Sequence, residues 1–400
     1  MSDSDLDRSK ALPRRIARLR QELTEEAVPL PIEGSGAAAL LEEVLYARQP
    51  PLHERKAPRY GALVFVHGPA DWSRSPVTPT LIDVRGIEPA FVRRLADGRS
   101  SFLVVEADRI AALACFEHSI EYEATMVRMH ETTGAIVVQR TAQGRVRICA
   151  QSGIVEWDTV WWTIKPFADR HAAPILRLAP QADPAILKGL LELCAHWLSA
   201  GGVGGTLVWY LVDVGEGAFA RVDLSKSVHG PALSAARHDH FAPLLSALGQ
   251  MDRAAIVLRD GAVARFGVAL APTDRAAALV GATGGTRHTS ARRFSFDEPR
   301  ALVFVVSEDG PVTVFSDGAT AAVVRADPCR TGFQLNLMQS ADPAGERALR
   351  CPRCEKLLLL DEIRFAGWQG GPEHLPCPVC NEHLTIDAYR AVIRGVRKEL

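Results

Sequence analysis

The sequence predicts an α/β protein in several parts, organised around a mixed sheet, and three features predict it. Short apolar runs alternate with helix-period segments along most of the chain, as strands interleaved with helices do. Between Met251 and Gly318, two strand–turn–strand units flank the run Gly284-Gly285-Thr286-Arg287-His288, which places that run at the end of a sheet. Near the C-terminus, two Cys-x-x-Cys pairs signal a small separate module. A length of 400 residues suits two or three domains, and 47% apolar with 23% charged residues is ordinary globular composition. The net charge of −1 excludes a global pull toward nucleic acid or an anionic membrane.

Residues 1–29 read as a charged N-terminal segment, with one solvent-facing helix from Arg14 to Glu25. In the second region, 30–165, a helix is expected over Gly36–Ala47. Strands follow at Ala62–His67, Thr80–Asp83, Phe102–Glu106, Gly134–Gln139 and Val146–Ala150, with helical pieces at Pro89–Leu95 and Arg109–Ser119. That alternation is an α/β or α+β domain. Trp157, Trp161 and Trp162 close it and are expected to pack in its core or at a domain interface. The first 26 residues have no apolar core of the signal-peptide kind. The longest uncharged run, Leu193–Val212, contains four glycines and a histidine and reads as helix end, turn and strand, not as a membrane span. A cytoplasmic location is expected. Cys115, Cys149, Cys194 and Cys329 are scattered, as reduced core cysteines are.

The third region, 181–325, opens with Asp183 as a helix N-cap and Pro184 at the first helical position. Ile186, Leu190, Leu193 or Cys194, and Trp197 recur at helical spacing, so the helix Asp183–Leu198 buries one face. The apolar strand Gly205–Val212 is expected to be central, and the helix Phe241–Gly249 leads directly into Asp252. Ala254–Leu258 and Ala262–Leu270 read as strands joined by Arg259-Asp260-Gly261, a hairpin signal. Ala301–Ser307 and Val312–Ser316 read as a second pair. Gly284 and Gly285 let a ligand approach the backbone closely, and Thr286 is placed to cap the helix that starts there. Amides at that helix start, with Arg287 and His288 beside them, make a candidate phosphate site.

Asp252-x-Ala254 opening a strand, Gly285-Thr-Arg-His288, and Ser307-Glu308 closing a strand, in this order, resemble the nucleotide-binding domain of diadenylate cyclases. That domain occurs in DNA-integrity scanning proteins and in membrane-bound cyclases. The resemblance implies joining of two ATP molecules into cyclic di-AMP with release of pyrophosphate. It also implies two domains facing each other, hence a homo-oligomer, with Mg2+ or Mn2+ between them. By the same resemblance, Asp252 (also the divalent-metal ligand), Arg287 and His288 are catalytic. Ala254, Gly284, Gly285, Thr286, Thr289, Ser307 and Glu308 then bind nucleotide, either ATP or cyclic di-AMP. Cyclases of this family often carry an N-terminal domain presumed to sense something, which implies that 30–165 is a sensor domain. Two positions depart from the family pattern: Arg253 replaces the glycine of Asp-Gly-Ala, and Thr289 replaces the final arginine of Gly-Thr-Arg-His-Arg. Asp260-Gly261-Ala262 spells the first motif letter for letter, yet it lies in a hairpin turn, so the role is assigned to Asp252.

In the last region, 348–400, Cys351-Pro-Arg-Cys354 and Cys377-Pro-Val-Cys380 are separated by 22 residues and read as a four-thiolate Zn2+ ribbon followed by a C-terminal helix. So few core residues need such a staple. Its basic side chains, among them Arg390, Arg394 and Arg397, leave nucleic-acid contact through the ribbon open. The function read from the whole is a diadenylate cyclase, a nucleotidyltransferase, under control of an N-terminal sensor. One alternative is a non-catalytic adenine-nucleotide sensor. Another is a nucleic-acid-binding zinc-ribbon regulator with a degenerate cyclase domain. Arg253 and Thr289 favour these; Asp252, Arg287, His288 and Glu308 favour the enzyme.

Overall fold

The computed structural model describes residues 3–329, apart from 53–56, 67, 69, 74, 76, 107, 121, 216–218, 220, 283 and 309, together with 348–350, 357–359, 375–376, 379–380 and 383–384. Contacts divide the chain into two compact units, Met1–Phe167 with Ala326–Ala341 and Ala168–Arg325 with Asp342–Leu400.

The first unit begins with helices α1 (Asp3–Glu25) and α2 (Ala37–Arg48). The charged segment expected to face solvent is amphipathic instead: Leu19 and Leu23 of α1 join the same core as Leu40, Leu41 and Val44 of α2. Strands β1 (Tyr60–Phe65), β2 (Thr80–Asp83), β3 (Ser101–Glu106), β4 (Arg109–Cys115), β5 (Ile136–Arg140), β6 (Val146–Ala150), β7 (Gly153–Trp157) and β8 (Trp162–Lys165) build its sheet. The order is β8-β7-β6-β5-β1-β3-β4-β2, with Asp327–Pro328 paired outside β8. Among the described strands of this sheet, only β1 and β3 run parallel. Helices α1, α2 and α3 (Pro89–Leu95) cover one face through Leu23, Val44 and Val92, and α4 (Glu123–Thr133) covers the other through Met126 and Met129. The helix expected within Arg109–Ser119 is strand β4. Its alanine-rich sequence suits a helix, but pairing with both β2 and β3 overrides that local preference. Of the three tryptophans, Trp161 is exposed. The Arg48 guanidinium lies 4.3 Å from the Trp157 ring centre and 5.3 Å from that of Trp162, and Glu22 accepts from both Arg48 and the Trp162 indole.

In the second unit, α5 (Ala172–Leu178) is followed by α6 (Pro184–Glu192). Asp183 caps α6 by accepting from the amides of Ala185 and Ile186 at 2.8 and 3.1 Å. The long helix read from the sequence is two pieces, because Leu193–Leu198 continues it as a π-helical turn. Strands β9 (Gly205–Tyr210), β10 (Val222–Asp223), β11 (Val228–His229), β12 (Ala254–Val257), β13 (Val263–Leu270), β14 (Ala301–Val306), β15 (Val312–Ser316) and β16 (Ala319–Val324) form a mixed sheet. Its order is β10-β13-β12-β9-β14-β15-β16, with β11 also on β13. The apolar β9 is therefore central, as its composition predicts. Helices α5, α6 and α7 (Phe241–Gln250) cover one face, against Leu207, Trp209 and Phe304. The short α8 (Asp274–Leu279) precedes α9 (Thr286–Asp297), whose Ala291 and Phe294 cover the other face against Val208, Ile256 and Val305.

Cys149 and Cys194 are fully buried and Cys329 nearly so, and burial raises each thiol, that of Cys329 to about 12. Beyond them, Ala348–Arg350 pairs with Leu357–Leu359, and Leu375–Pro376 pairs with His383–Leu384. Cys351, Cys354 and Cys377 lie outside the described residues, as do the strand expected at Phe333–Met338 and the C-terminal helix; Cys380 is buried. Among the described residues, no helix is long and apolar enough to cross a membrane.

Candidate functional site

Strand register places the candidate residues of the second unit. β12 runs parallel to β9 with Ala254 opposite Thr206, and β14 runs antiparallel to β9 with Val306 opposite Gly205. The starts of β9 and β12 and the end of β14 thus share one edge of the sheet, and Gly204, Asp252 and Ser307-Glu308 are the residues next to those ends. Arg287, in the first turn of α9, reaches the same edge. Its guanidinium donates to the Val306 carbonyl at 3.5 Å and lies 4.0 Å from the Glu308 carboxylate. Asp252 is exposed and Glu308 strongly so, as suits groups that meet a ligand.

The Gly-Gly-Thr-Arg-His turn delivers backbone amides to that edge. Gly284 has φ +54°, the left-handed region that glycine adopts without penalty. Gly285, not Thr286, occupies the N-cap position, and no side chain caps the helix. Thr286 is its first residue. The first intrahelical bond runs from the Thr289 amide to the Gly285 carbonyl at 3.1 Å, so the amides of Gly285, Thr286 and Arg287 precede it. The His288 ring stands edge-on to Phe315, with centroids 6.3 Å apart. Ala254 is buried in the sheet core among Val208, Tyr210 and Phe294, so only its backbone faces the strand end.

The departures from the family motifs have visible consequences. Arg253 holds φ +77°, a left-handed backbone at the position where the family has glycine. The two arginines that follow Thr289 in α9 are engaged with backbone carbonyls. Arg292 is buried and donates to the Gly318 carbonyl at 2.9 Å, while Arg293 donates to the Val280 carbonyl at 3.2 Å. Asp260 sits at the far end of β12, roughly 20 Å from Asp252 at about 3.3 Å per strand residue. There it accepts from the Ala262 amide at 3.0 Å, closing its own turn. With Asp183, Trp209, Asp213 and Arg259 it lines a different cleft of about 560 Å³.

Gly204 is not singled out by any motif of the sequence. A Cβ there would fall 2.4 Å from the Arg287 guanidinium and 2.8 Å from the Glu308 side chain, so both pack on a bare backbone. The run Gly201-Gly202-Val203-Gly204-Gly205 was the available signal. Among the described residues, no group of three or more Asp, Glu, His or Cys could hold a metal ion. Asp252 and Glu308 are hard oxygen donors, and one or two carboxylates suit a Mg2+ or Mn2+ ion that keeps water and substrate phosphate as its other ligands.

Two family models match parts of the chain. Residues 228–320 match the family described as the DisA bacterial checkpoint controller nucleotide-binding domain, and residues 17–165 match a probable sensor domain, DACNK. Among solved structures, a hypothetical membrane spanning protein from Bacillus cereus is 24% identical over 32% of this chain and 58% of its own, with a TM-score of 0.23. DacA from Staphylococcus aureus, in the form of a double mutant, is 18% identical over 39% of this chain and 93% of its own, with a TM-score of 0.27. At those scores neither likeness informs the fold. Among proteins of curated function, none matches.

Proposed function

We propose that this diadenylate cyclase-like protein, with its N-terminal sensor domain, condenses two ATP molecules into cyclic di-AMP at the sheet edge described above. The convergence of Asp252, Arg287 and Glu308 on one end of β9, β12 and β14, beside the first turn of α9, carries the reading. The amides of Gly285 and Thr286 and the Arg287 guanidinium cradle phosphate oxygens and offset charge that builds up in the transition state. Asp252 and Glu308 would hold Mg2+ or Mn2+, and such an ion would make the ATP 3′-hydroxyl a better nucleophile. Each 3′-oxygen attacks the α-phosphate of the facing nucleotide, and pyrophosphate leaves in line. Because each domain supplies one nucleotide, ring closure requires two copies of the domain face to face. Ser307, His288 and Thr289 line the phosphates.

The tied-down Arg292 and Arg293 and the left-handed Arg253 favour a second reading, a domain that binds adenine nucleotide without turning it over. One experiment separates the two. Full-length protein is incubated with ATP and Mn2+, and products are identified by mass spectrometry while bound ATP is measured in parallel. Cyclic di-AMP, formed with a specific activity that falls on dilution, supports the cyclase; bound ATP without product supports the sensor. Asp252→Asn should abolish metal-dependent binding or turnover, whereas Asp260→Asn should leave both near wild type. The reverse pattern would refute the site. The C-terminal knuckles fit a structural Zn2+ held by Cys351, Cys354, Cys377 and Cys380, since each Cys-x-x-Cys falls between two short paired strands.

A further inference from the structure

We infer that Gly204 and Ser199 are positioning residues for the nucleotide site, an inference that rests on the reading above. Both lie in the segment that joins the π-helical turn Leu193–Leu198 to the central strand β9. The chain leaves that turn tightly: the Gly201 amide bonds the Trp197 carbonyl at 2.9 Å, and Gly202 takes φ +67°. Ser199 is thereby set beside the β14–β15 turn, where its hydroxyl donates to the Gly310 carbonyl. That turn closes through Ser307 and Pro311 at 2.9 Å and through Gly310 and Ser307 at 3.0 Å, and it carries Glu308. Ser199 thus fixes from outside a turn whose only internal ties are these two backbone bonds among those described.

Gly204 acts from below. Arg287 and Glu308 arrive from different elements, α9 and the end of β14, and meet above its Cα. A methyl group would overlap the guanidinium at 2.4 Å and the Glu308 Cγ at 2.8 Å. At those separations something must shift: Arg287 is met at the far end of a flexible side chain and can swing aside, whereas Glu308 is met at Cγ, close to its backbone, and moves less easily. The absence of a side chain at 204 therefore leaves room for the two charged groups to stand 4.0 Å apart, and the hydroxyl at 199 anchors the turn that carries one of them. The spacing of both groups from the phosphates follows from it.

Isothermal titration of ATP into the full chain, with and without Mn2+, tests this, using Gly204→Ala, Ser199→Ala, Ser199→Thr and Gly249→Ala. Gly204→Ala should weaken ATP binding roughly tenfold or more, the scale of one charge-assisted bond. Ser199→Ala should weaken it about threefold to tenfold, the worth of one neutral hydrogen bond. Ser199→Thr should restore it, since the hydroxyl returns. Gly249→Ala should change nothing, because its Cβ would make only ordinary contact with Val203 at 3.6 Å. Amide hydrogen exchange reads the same device without nucleotide: both loss-of-function variants should exchange faster at Ser307 and Gly310, with melting temperatures close to wild type. Unchanged exchange there would overturn the inference whatever the titration gives. Wild-type protein that binds no ATP, while exchange at Ser307 and Gly310 responds as expected, would instead refute the nucleotide reading and leave the positioning intact.

Discussion

Arg253 offers a test in which the sign of an effect is diagnostic. Its φ of +77° lies where a Cβ crowds the backbone, at a cost of about 1–2 kcal/mol. Glycine escapes that cost but loses more backbone entropy on folding, about 0.5–1 kcal/mol. The comparison is therefore between Arg253→Gly and Arg253→Ala, which both delete the guanidinium. Deleting it removes the same weak attraction to Asp223, whose exposed carboxyl is held below the usual range mainly by the Ser225 amide and, to a lesser extent, by Arg253. The difference between the two variants isolates the backbone. Glycine should be the more stable by roughly 0.5–1 kcal/mol, whereas at an ordinary position it is the less stable by a similar amount. With a urea slope of about 2 kcal/mol/M, the midpoint of the glycine variant should lie roughly 0.3–0.5 M above that of the alanine variant. The assay is equilibrium urea unfolding followed by fluorescence, with equal slopes required. An alanine variant as stable as the glycine variant would show that residue 253 is not left-handed and that the strand start beside Asp252 is not built in this way.

Three further outcomes follow. Arg292→Met should cost about 2 kcal/mol, since it leaves the Gly318 carbonyl at the β15–β16 turn without its 2.9 Å donor, yet the folded variant should bind ATP as the wild type does; weakened binding at unchanged stability would instead give Arg292 a place at the phosphates. Burial holds the His171 pKa down at about 4, so the fold prefers the neutral ring; its stability contribution is complete above about pH 6.5 and is lost as pH falls toward 4, in all about 3 kcal/mol. His171→Phe should flatten that part of the stability–pH curve, and an unaltered curve would refute the assignment. Elemental analysis of purified protein should find about one zinc per chain, lost in Cys380→Ser; protein without zinc would refute the ribbon.

The features legible along the chain alone are local ones. Asp183-Pro184 predicts its helix start because a carboxylate and a ring at those positions satisfy orphan amides without distant help. The unbroken apolar run of β9 predicts a central strand, because only burial on both faces tolerates it. Gly-Gly-Thr-Arg-His predicts a glycine turn at a helix start for the same kind of reason. Features that depend on residues far apart in the chain emerge only on folding. The tertiary structure made the alanine-rich Arg109–Cys115 a strand, since pairing on both sides outweighs helix propensity. It turned α1 inward, because a partner at α2 covers Leu19 and Leu23. It put Arg253 in a backbone region that no arginine prefers locally, and it tied Arg292 to a turn 26 residues away. Gly204 is the clearest case. A glycine near the start of a strand reads as a turn residue, and its purpose is visible only when Arg287 and Glu308, 83 and 104 residues further along, are folded over it.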